Sequence, residues 1–374
     1  MKIAYLVDNN VATVGGEQES TKIIIEGMLS QGAKILLLQP GKRNGGWSDV
    51  KQPILASESR LKNVFKNPFL FSRYIYRAYK SLVIFKPEIV HTQAQVSFFL
   101  VALLKFLRVL SGEVRFIHTE RGIYTKYNRF FRFLFYMCVP QLNVMVCTTS
   151  LNKDLWSKAF VRAKVRPDIV VIRNTAGKNF NLTESKRLFR DGIRVGFAGR
   201  YCDWKDWPLA ESIVEGLYLK CPMLRVTMAV GCLDDASVVS TELMFGRMQN
   251  LLGDRFAGSI NVDLDCMREF YSSIDVFVLT STPGAESFGR TVVEAMASGC
   301  VVFVTKGGGP PEVVGDSYCV YDDVSALVEK VMELSADPCL ATRWSDRNIL
   351  RATNEFSFDS NIKNHAVLYR RLTR

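Results

Sequence analysis

Two short apolar runs, joined by a Pro-Gly loop and a helical stretch, restrict this chain most. Residues 275–280 read Asp-Val-Phe-Val-Leu-Thr, break into Ser281-Thr-Pro-Gly284, and pass into a helical pattern expected to open near Glu286-Ser287 and stop at Gly299. A second apolar run, Cys300-Val-Val-Phe-Val304, follows at once. Antiparallel strands can be joined by a tight turn, whereas strands joined through a helix lie parallel. The segment therefore predicts a parallel α/β sheet.

Two carboxylates mark this unit, Glu286 at the expected helix mouth and Glu294 eight residues on. On one helix, at about 1.5 Å rise per residue, they would stand roughly 12 Å apart, near the span from a hexose across a diphosphate to a ribose. Between them the amides of Ser287, Phe288, Gly289 and Arg290 would lie at the positive end of the helix dipole, where anions bind readily. A ligand with hydroxyls at both ends and phosphate between them matches that pattern.

Glu286, seven residues and Glu294, preceded by Thr282-Pro-Gly-Ala285 and followed by Ala295-Met-Ala-Ser-Gly299, resemble the signature of the GT-B retaining glycosyltransferases of the GT4 type, the group 1 glycosyl transferases. A second stretch agrees. Ile193-Arg-Val-Gly-Phe-Ala-Gly199-Arg200 reads as a strand ending in Gly-Arg, and Lys205 follows five residues later. The family pattern there is Gly-Arg, a short loop and Lys-Gly, with the two bases on the donor pyrophosphate; here Asp206 replaces the last Gly. Fixed cations suit that task because the departing nucleotide diphosphate gains charge as the glycosidic bond breaks. Arg200 offers a bidentate grip and Lys205 a point charge.

The resemblance implies two Rossmann-like, doubly wound domains facing across a cleft. It places Glu294 on the ribose, and Glu286 with the amides of Phe288 and Gly289 on the sugar. His118, in His118-Thr-Glu-Arg-Gly122, matches the family position that contacts the donor sugar, and the Gly15-Gly16 loop lies over the diphosphate and acceptor. Gly231 ends the run Leu224–Gly231 on the ligand side, and Lys306-Gly-Gly-Gly-Pro-Pro-Glu312 reads as a glycine-rich turn able to close on sugar hydroxyls, with Glu312 alternatively the cap of the next helix. No cofactor beyond the nucleotide-sugar co-substrate is expected, and no metal, since the bases take the negative charge and no paired carboxylates end a strand. Two other readings stay open: a nucleotide-sugar epimerase or phosphorylase of the same fold, and a non-catalytic membrane-surface binding protein.

At 374 residues the chain has the length of two ordinary domains. Short apolar runs at Lys2–Val7, Ala33–Leu38, Glu88–His91, Val114–His118, Val144–Thr148 and Ile169–Ile172 alternate with longer amphipathic ones, the pattern of a doubly wound sheet. The expected division is an N-terminal domain over 1–180, a nucleotide-sugar domain over 181–355, and a last helix over 356–374 crossing back. A polar linker is expected over Asn174–Asp191, where Arg173-Asn174-Thr175 stands in place of the family's Pro-Asn-Gly. His91 and His118 both end apolar runs, where side chains of a parallel sheet reach the ligand crevice.

Charge separates the halves. The first 180 residues hold 27 Lys and Arg against 11 Asp and Glu, and the remainder 21 against 26. Arg60–Lys86 and Arg121–Tyr136 interleave bases with aromatic residues, which suits an anionic bilayer surface and equally suits ordinary helices with an apolar core face and a basic solvent face. No RNA- or DNA-binding motif accompanies them, so nucleic acid is not an expected partner. Nine cysteines without Cys-X-X-Cys spacing read as reduced thiols of a cytoplasmic protein, and no run is apolar enough to span a bilayer. The expected acceptor is a glycan or a polyprenyl-linked glycan at the inner membrane face, in bacterial surface polysaccharide synthesis.

Overall fold

A computed structural model describes residues 1–13, 15–180, 188–190 and 192–373. The chain divides into two compact units, Met1–Arg173 with Asp359–Arg374, and Asn174–Phe358. The expected boundaries lay at 180/181 and 355/356. Side-chain packing accounts for the difference: Ala176, Phe180 and Phe356 are buried in a core of the second unit. Of the expected linker, residues 181–187 and Asp191 lie outside the described residues.

The first unit holds seven strands: β1 (Lys2–Leu6), β2 (Lys34–Leu38), β3 (Val50–Lys51), β4 (Ile89–Thr92), β5 (Arg115–Glu120), β6 (Val144–Cys147) and β7 (Asp168–Val171). They pair in the order β3-β2-β1-β4-β5-β6-β7, every pair parallel. The C-terminal helix Phe358–Thr373 belongs to this unit. Its Ile362 fills the space left by Gly27, where a Cβ would come within 2.2 Å, and the Tyr369 hydroxyl reaches Tyr5 and His91 at 3.1 and 2.6 Å.

The second unit holds β8 (Arg194–Arg200), β9 (Arg225–Gly231), β10 (Phe256–Ile260), β11 (Val276–Leu279), β12 (Val301–Thr305) and β13 (Val320–Tyr321), in the order β10-β9-β8-β11-β12-β13 and parallel throughout. Successive side chains point to opposite faces, and the cores follow that alternation. Phe197, Val276, Val278, Val301 and Phe303 enter one core; Ala198, Phe277, Leu279, Val302 and Val304 enter the other. Burial on both faces explains why these strands read as continuous apolar runs. In both sheets the strand order reverses beside the first strand, at β1/β4 and at β8/β11. In open α/β sheets ligands bind outside the carboxyl ends of the strands at that reversal.

Candidate functional site

At the β8/β11 reversal the chain places one carboxylate and two cations. β8 ends in Arg200, and the turn Asp203–Lys205 returns Lys205 toward β11. Gly199 makes room for it: a Cβ there would stand 3.3 Å from the Lys205 Cδ and Cε atoms. The turn is stitched to the loop after β11, with the Thr280 hydroxyl donating to the Lys205 carbonyl at 2.8 Å and the Thr282 amide to the Trp204 carbonyl at 3.1 Å. Lys205 Nζ donates to Glu286 Oε2 at 2.7 Å. Burial alone would raise the Glu286 carboxyl. The Lys205 charge and hydrogen bond, the nearby Arg200 and the Gly289 amide outweigh it and hold Glu286 below its ordinary range. Arg200 is exposed, lies 5.8 Å from the Trp204 ring centre, and has no acidic partner among the described residues.

Asp206, expected as Gly, has φ 45°, a left-handed conformation that Gly adopts freely and Asp tolerates. Its side chain accepts from the Leu209 amide at 3.3 Å and so caps the helix Trp207–Lys220. The acid is thus used in a cap, and Lys205 pairs with Glu286 rather than with it.

The helix after β11 begins at Arg290, not at Glu286. Gly289 sits at φ 82° ahead of it, and the Glu286 carbonyl, which in a helix would accept from the Arg290 amide, accepts from the Gly309 amide at 2.9 Å. Residues 285–288 are therefore a strap outside the helix, bent at Ser287 and Phe288, and Glu286 and Glu294 do not share a helix. The Gly-rich turn is what holds the strap. A Cβ on Gly308 would lie 2.4 Å from the Glu286 carbonyl oxygen, and one on Gly309 1.9 Å from that of Ser287. Ser287 and Phe288 are buried, and Phe288 packs edge-on against Phe356.

Glu294 lies inside the helix Arg290–Ala297, buried, with Arg290 Nε donating to one oxygen at 2.7 Å and the Tyr271 hydroxyl to the other at 2.9 Å. Tyr271 carries no motif and was not expected here; only its place in an apolar helix face hinted at burial. Arg290 Nη1 is buried without a hydrogen-bond partner, an unfilled donor beside the pair. Gly231 ends β9 opposite Arg200, where a Cβ would touch the Arg200 Cγ at 3.4 Å.

In the first unit Gly15 and Gly16 open the helix Gly16–Ser30, whose first turn carries Glu17 and Glu19, acids that already complement its dipole. Val14, the start of that loop, lies outside the described residues. His118 ends up buried on β5, with Nδ1 at 2.9 Å from the Thr92 hydroxyl and Nε2 at 3.2 Å from Glu120. Glu120, which sequence reasoning passed over, also accepts from the Gly122 amide at 2.5 Å and the Tyr127 hydroxyl at 2.9 Å. His91 is fully buried between Tyr369 and Thr119, and burial drives its imidazole well below the usual His range. Asp8, at the end of β1, caps the helix Gln95–Phe106 through the Val96 and Ser97 amides at 2.9 and 2.8 Å.

Among the described residues no cluster of His, Cys, Asp and Glu has the makings of a metal site, and no helix is long and apolar enough to cross a membrane. All nine cysteines are free.

Residues 252–351 match the family model for glycosyl transferases group 1. A search among curated proteins finds no significant match. Solved structures resemble the chain along its full length at low identity. HepE of Anabaena in complex with UDP and glucose is 16% identical, covering 99% of each chain with a TM-score of 0.74. Sucrose-phosphate synthase from Thermosynechococcus elongatus is 17% identical, covering 100% of this chain and 99% of that one with a TM-score of 0.78. A glycosyltransferase from Rickettsia africae is 18% identical, covering 100% and 98% with a TM-score of 0.75. The chain has the GT-B fold of two Rossmann-like units, and the segment that matches the group 1 glycosyl transferase model lies in its second unit.

Proposed function

We propose that this chain transfers a sugar from a nucleotide-diphosphate sugar to a glycan acceptor, retaining the anomeric configuration and using no metal. The observation that carries this reading is the Lys205–Glu286 pair, at 2.7 Å on the carboxyl ends of β8 and β11, beside an Arg200 guanidinium that has no acidic partner among the described residues. A diphosphate arriving there takes Arg200 bidentately and shares Lys205 with Glu286. Both cations are in place before the leaving group gains its charge, so the barrier falls without reorganisation. Glu286, freed in part from Lys205, accepts hydroxyls of the sugar, with the strap Ser287, Phe288 and Gly289 alongside.

Glu294 is assigned the ribose. A carboxylate has about four acceptor sites, and Tyr271 and Arg290 occupy one on each oxygen. The remaining sites and Arg290 Nη1 are the capacity left for ribose hydroxyls. Gly231 keeps the end of β9 clear for the nucleotide. On this reading His118 acts at the donor sugar, which requires a ring nitrogen to exchange Thr92 or Glu120 for it, and the Gly15-Gly16 loop serves the diphosphate and acceptor. Retention by a same-face, ion-pair-like path is the reading that the family resemblance implies, and the hold of Lys205 on Glu286 is in keeping with it.

The favoured donor is a UDP-sugar, in keeping with UDP in the HepE complex, with a GDP-sugar next. The acceptor is a lipid-linked glycan at the cytoplasmic face of a bacterial membrane, in surface polysaccharide synthesis, and the basic first unit meets that anionic surface. Release of nucleotide diphosphate from UDP-, GDP- and ADP-sugars, with lipid-linked acceptors and with chelator present, tests the reading. It predicts chelator-resistant release and a product with the donor's anomeric configuration. Absence of release with every donor, together with no calorimetric binding of UDP or GDP, would overturn it.

A further inference from the structure

The first unit carries a cationic groove that no step of the transfer uses. It is an open groove of about 480 Å³, lined by Tyr124, Tyr136, Leu155, Lys158, Val161 and Arg162 among others. The helix Arg129–Cys138 forms one wall and the helix Ser150–Ala159 another. The Tyr136 hydroxyl donates to the Arg162 carbonyl at 3.0 Å and ties the two walls together. Lys158 and Arg162 are exposed, and neither is ion-paired among the described residues. Arg132 lies over the Tyr124 ring at 4.9 Å and brings a third cation to the rim.

Next to the groove the helix Arg129–Cys138 turns an apolar face to solvent. Phe135 is its one buried residue. At roughly 100° per residue, Phe130, Phe133 and Met137 fall within about 60° of one another on the side opposite Phe135. They are 63%, 58% and 59% exposed. The neighbouring helix Gln95–Phe106, which packs on this one through Phe99, adds the exposed Phe106 and Leu107 at and just beyond its end. Charge here is almost all of one sign: residues 121–167 hold nine Lys and Arg and a single acid, Asp154. An outward row of large apolar side chains beside Lys158 and Arg162, which have no acidic partner among the described residues, complements a surface that is anionic above and hydrocarbon below, and that surface is an acidic bilayer.

We propose that this face is where the chain docks on the membrane. Phe130, Phe133 and Met137 enter the acyl boundary, and the groove holds one anionic phospholipid headgroup, its phosphate between Lys158 and Arg162. The proposal deepens the membrane reading above and rests on it. It also separates the two basic aromatic stretches of the sequence: the helix Pro68–Phe85 exposes Phe69, Tyr76 and Ile84 as well, but it contributes no residue to the groove lining.

Flotation of the full chain with phosphatidylglycerol-containing vesicles, against pure phosphatidylcholine vesicles, tests it. The unaltered chain is expected to float with the acidic vesicles only. The variants F130S/F133S/M137S and K158E/R162E are each expected to lose about tenfold or more in vesicle affinity, while R73E/K80E, on the helix Pro68–Phe85, stays within about twofold. Near-ultraviolet circular dichroism of each variant shows that it has folded. If the unaltered chain stays at the bottom of the gradient, the membrane reading falls and this proposal with it. If it floats, and both groove-face variants float equally well, the membrane reading stands and the assignment of this face is wrong.

Discussion

Two ion pairs lie along one strand-loop-helix segment of the second unit, and water reaches them differently. Arg290 and Glu294 retain 8% and 5% side-chain exposure, and Tyr271 closes over the carboxylate; Lys205 and Glu286 retain 12% and 20%. Distance does not distinguish the pairs, since both close at 2.7 Å. What differs is whether the partners can be traded. A buried pair strands an uncompensated charge when it opens, whereas a half-open pair on the ligand side of the sheet can pass its cation to an incoming phosphate. The first pair is fixed within its helix, and the second keeps a cation that an arriving anion could share.

The largest expected effect follows from breaking the buried pair. Glu294→Ala leaves Arg290 and the Tyr271 hydroxyl without their acceptor, and should lower unfolding stability by about 3–5 kcal/mol, the range for removing one member of a buried pair. Chemical denaturation checks this, and a loss below about 1 kcal/mol would place Glu294 with the exchangeable pair instead. Weakened UDP binding is also expected, and calorimetry below the denaturation range measures it separately.

Breaking the half-open pair should act on rate. Glu286→Gln is nearly isosteric, and its expected signature is a fall in kcat of roughly 10²–10³, the scale for one preorganised electrostatic contact. Affinity for free UDP should change far less. Equal losses in turnover and nucleotide affinity would contradict the division of labour between Glu286 and Glu294.

The smallest effect is a pH dependence. Lys205, Arg200 and the Gly289 amide hold the Glu286 carboxyl below its ordinary value. The folded chain therefore keeps Glu286 ionised where the unfolded chain has begun to protonate it. That stabilisation is fully present above the ordinary carboxylate range and is lost as pH falls through the lower folded value. Denaturation midpoints measured from about pH 6 down to about pH 3 should fall more steeply for the unaltered chain than for Glu286→Gln. Parallel slopes would mean that the pair is not closed in solution.

Much of the fold was legible because a parallel sheet buried on both faces writes itself as uninterrupted apolar runs. The edge strands β3 and β13, two residues each, were not expected, since two residues carry no period. Arg200, Lys205 and Glu286 were legible as residues, and the structure brings Lys205 and Glu286 into contact. The start of the helix was misplaced because the deciding bond, from the Gly309 amide to the Glu286 carbonyl, joins positions 23 residues apart. The same holds for Tyr271 and Glu294, and for His118, whose expected place at a strand end said nothing of Thr92 and Glu120 on either side, nor of β5 running on to Glu120. Local pattern names the groups; only tertiary packing says which of them are already spoken for.

The glycine turn at 307–309 carries a consequence for genetics. Adding one methyl group at Gly309 would drive it into the Ser287 carbonyl and displace the strap that carries Glu286, while Arg200, Lys205, Glu286 and Glu294 all remain in the chain. Inactivating lesions in this protein are thus expected at positions with no chemistry of their own, and an allele of that kind would separate the presence of the polypeptide from its catalysis without altering its charge.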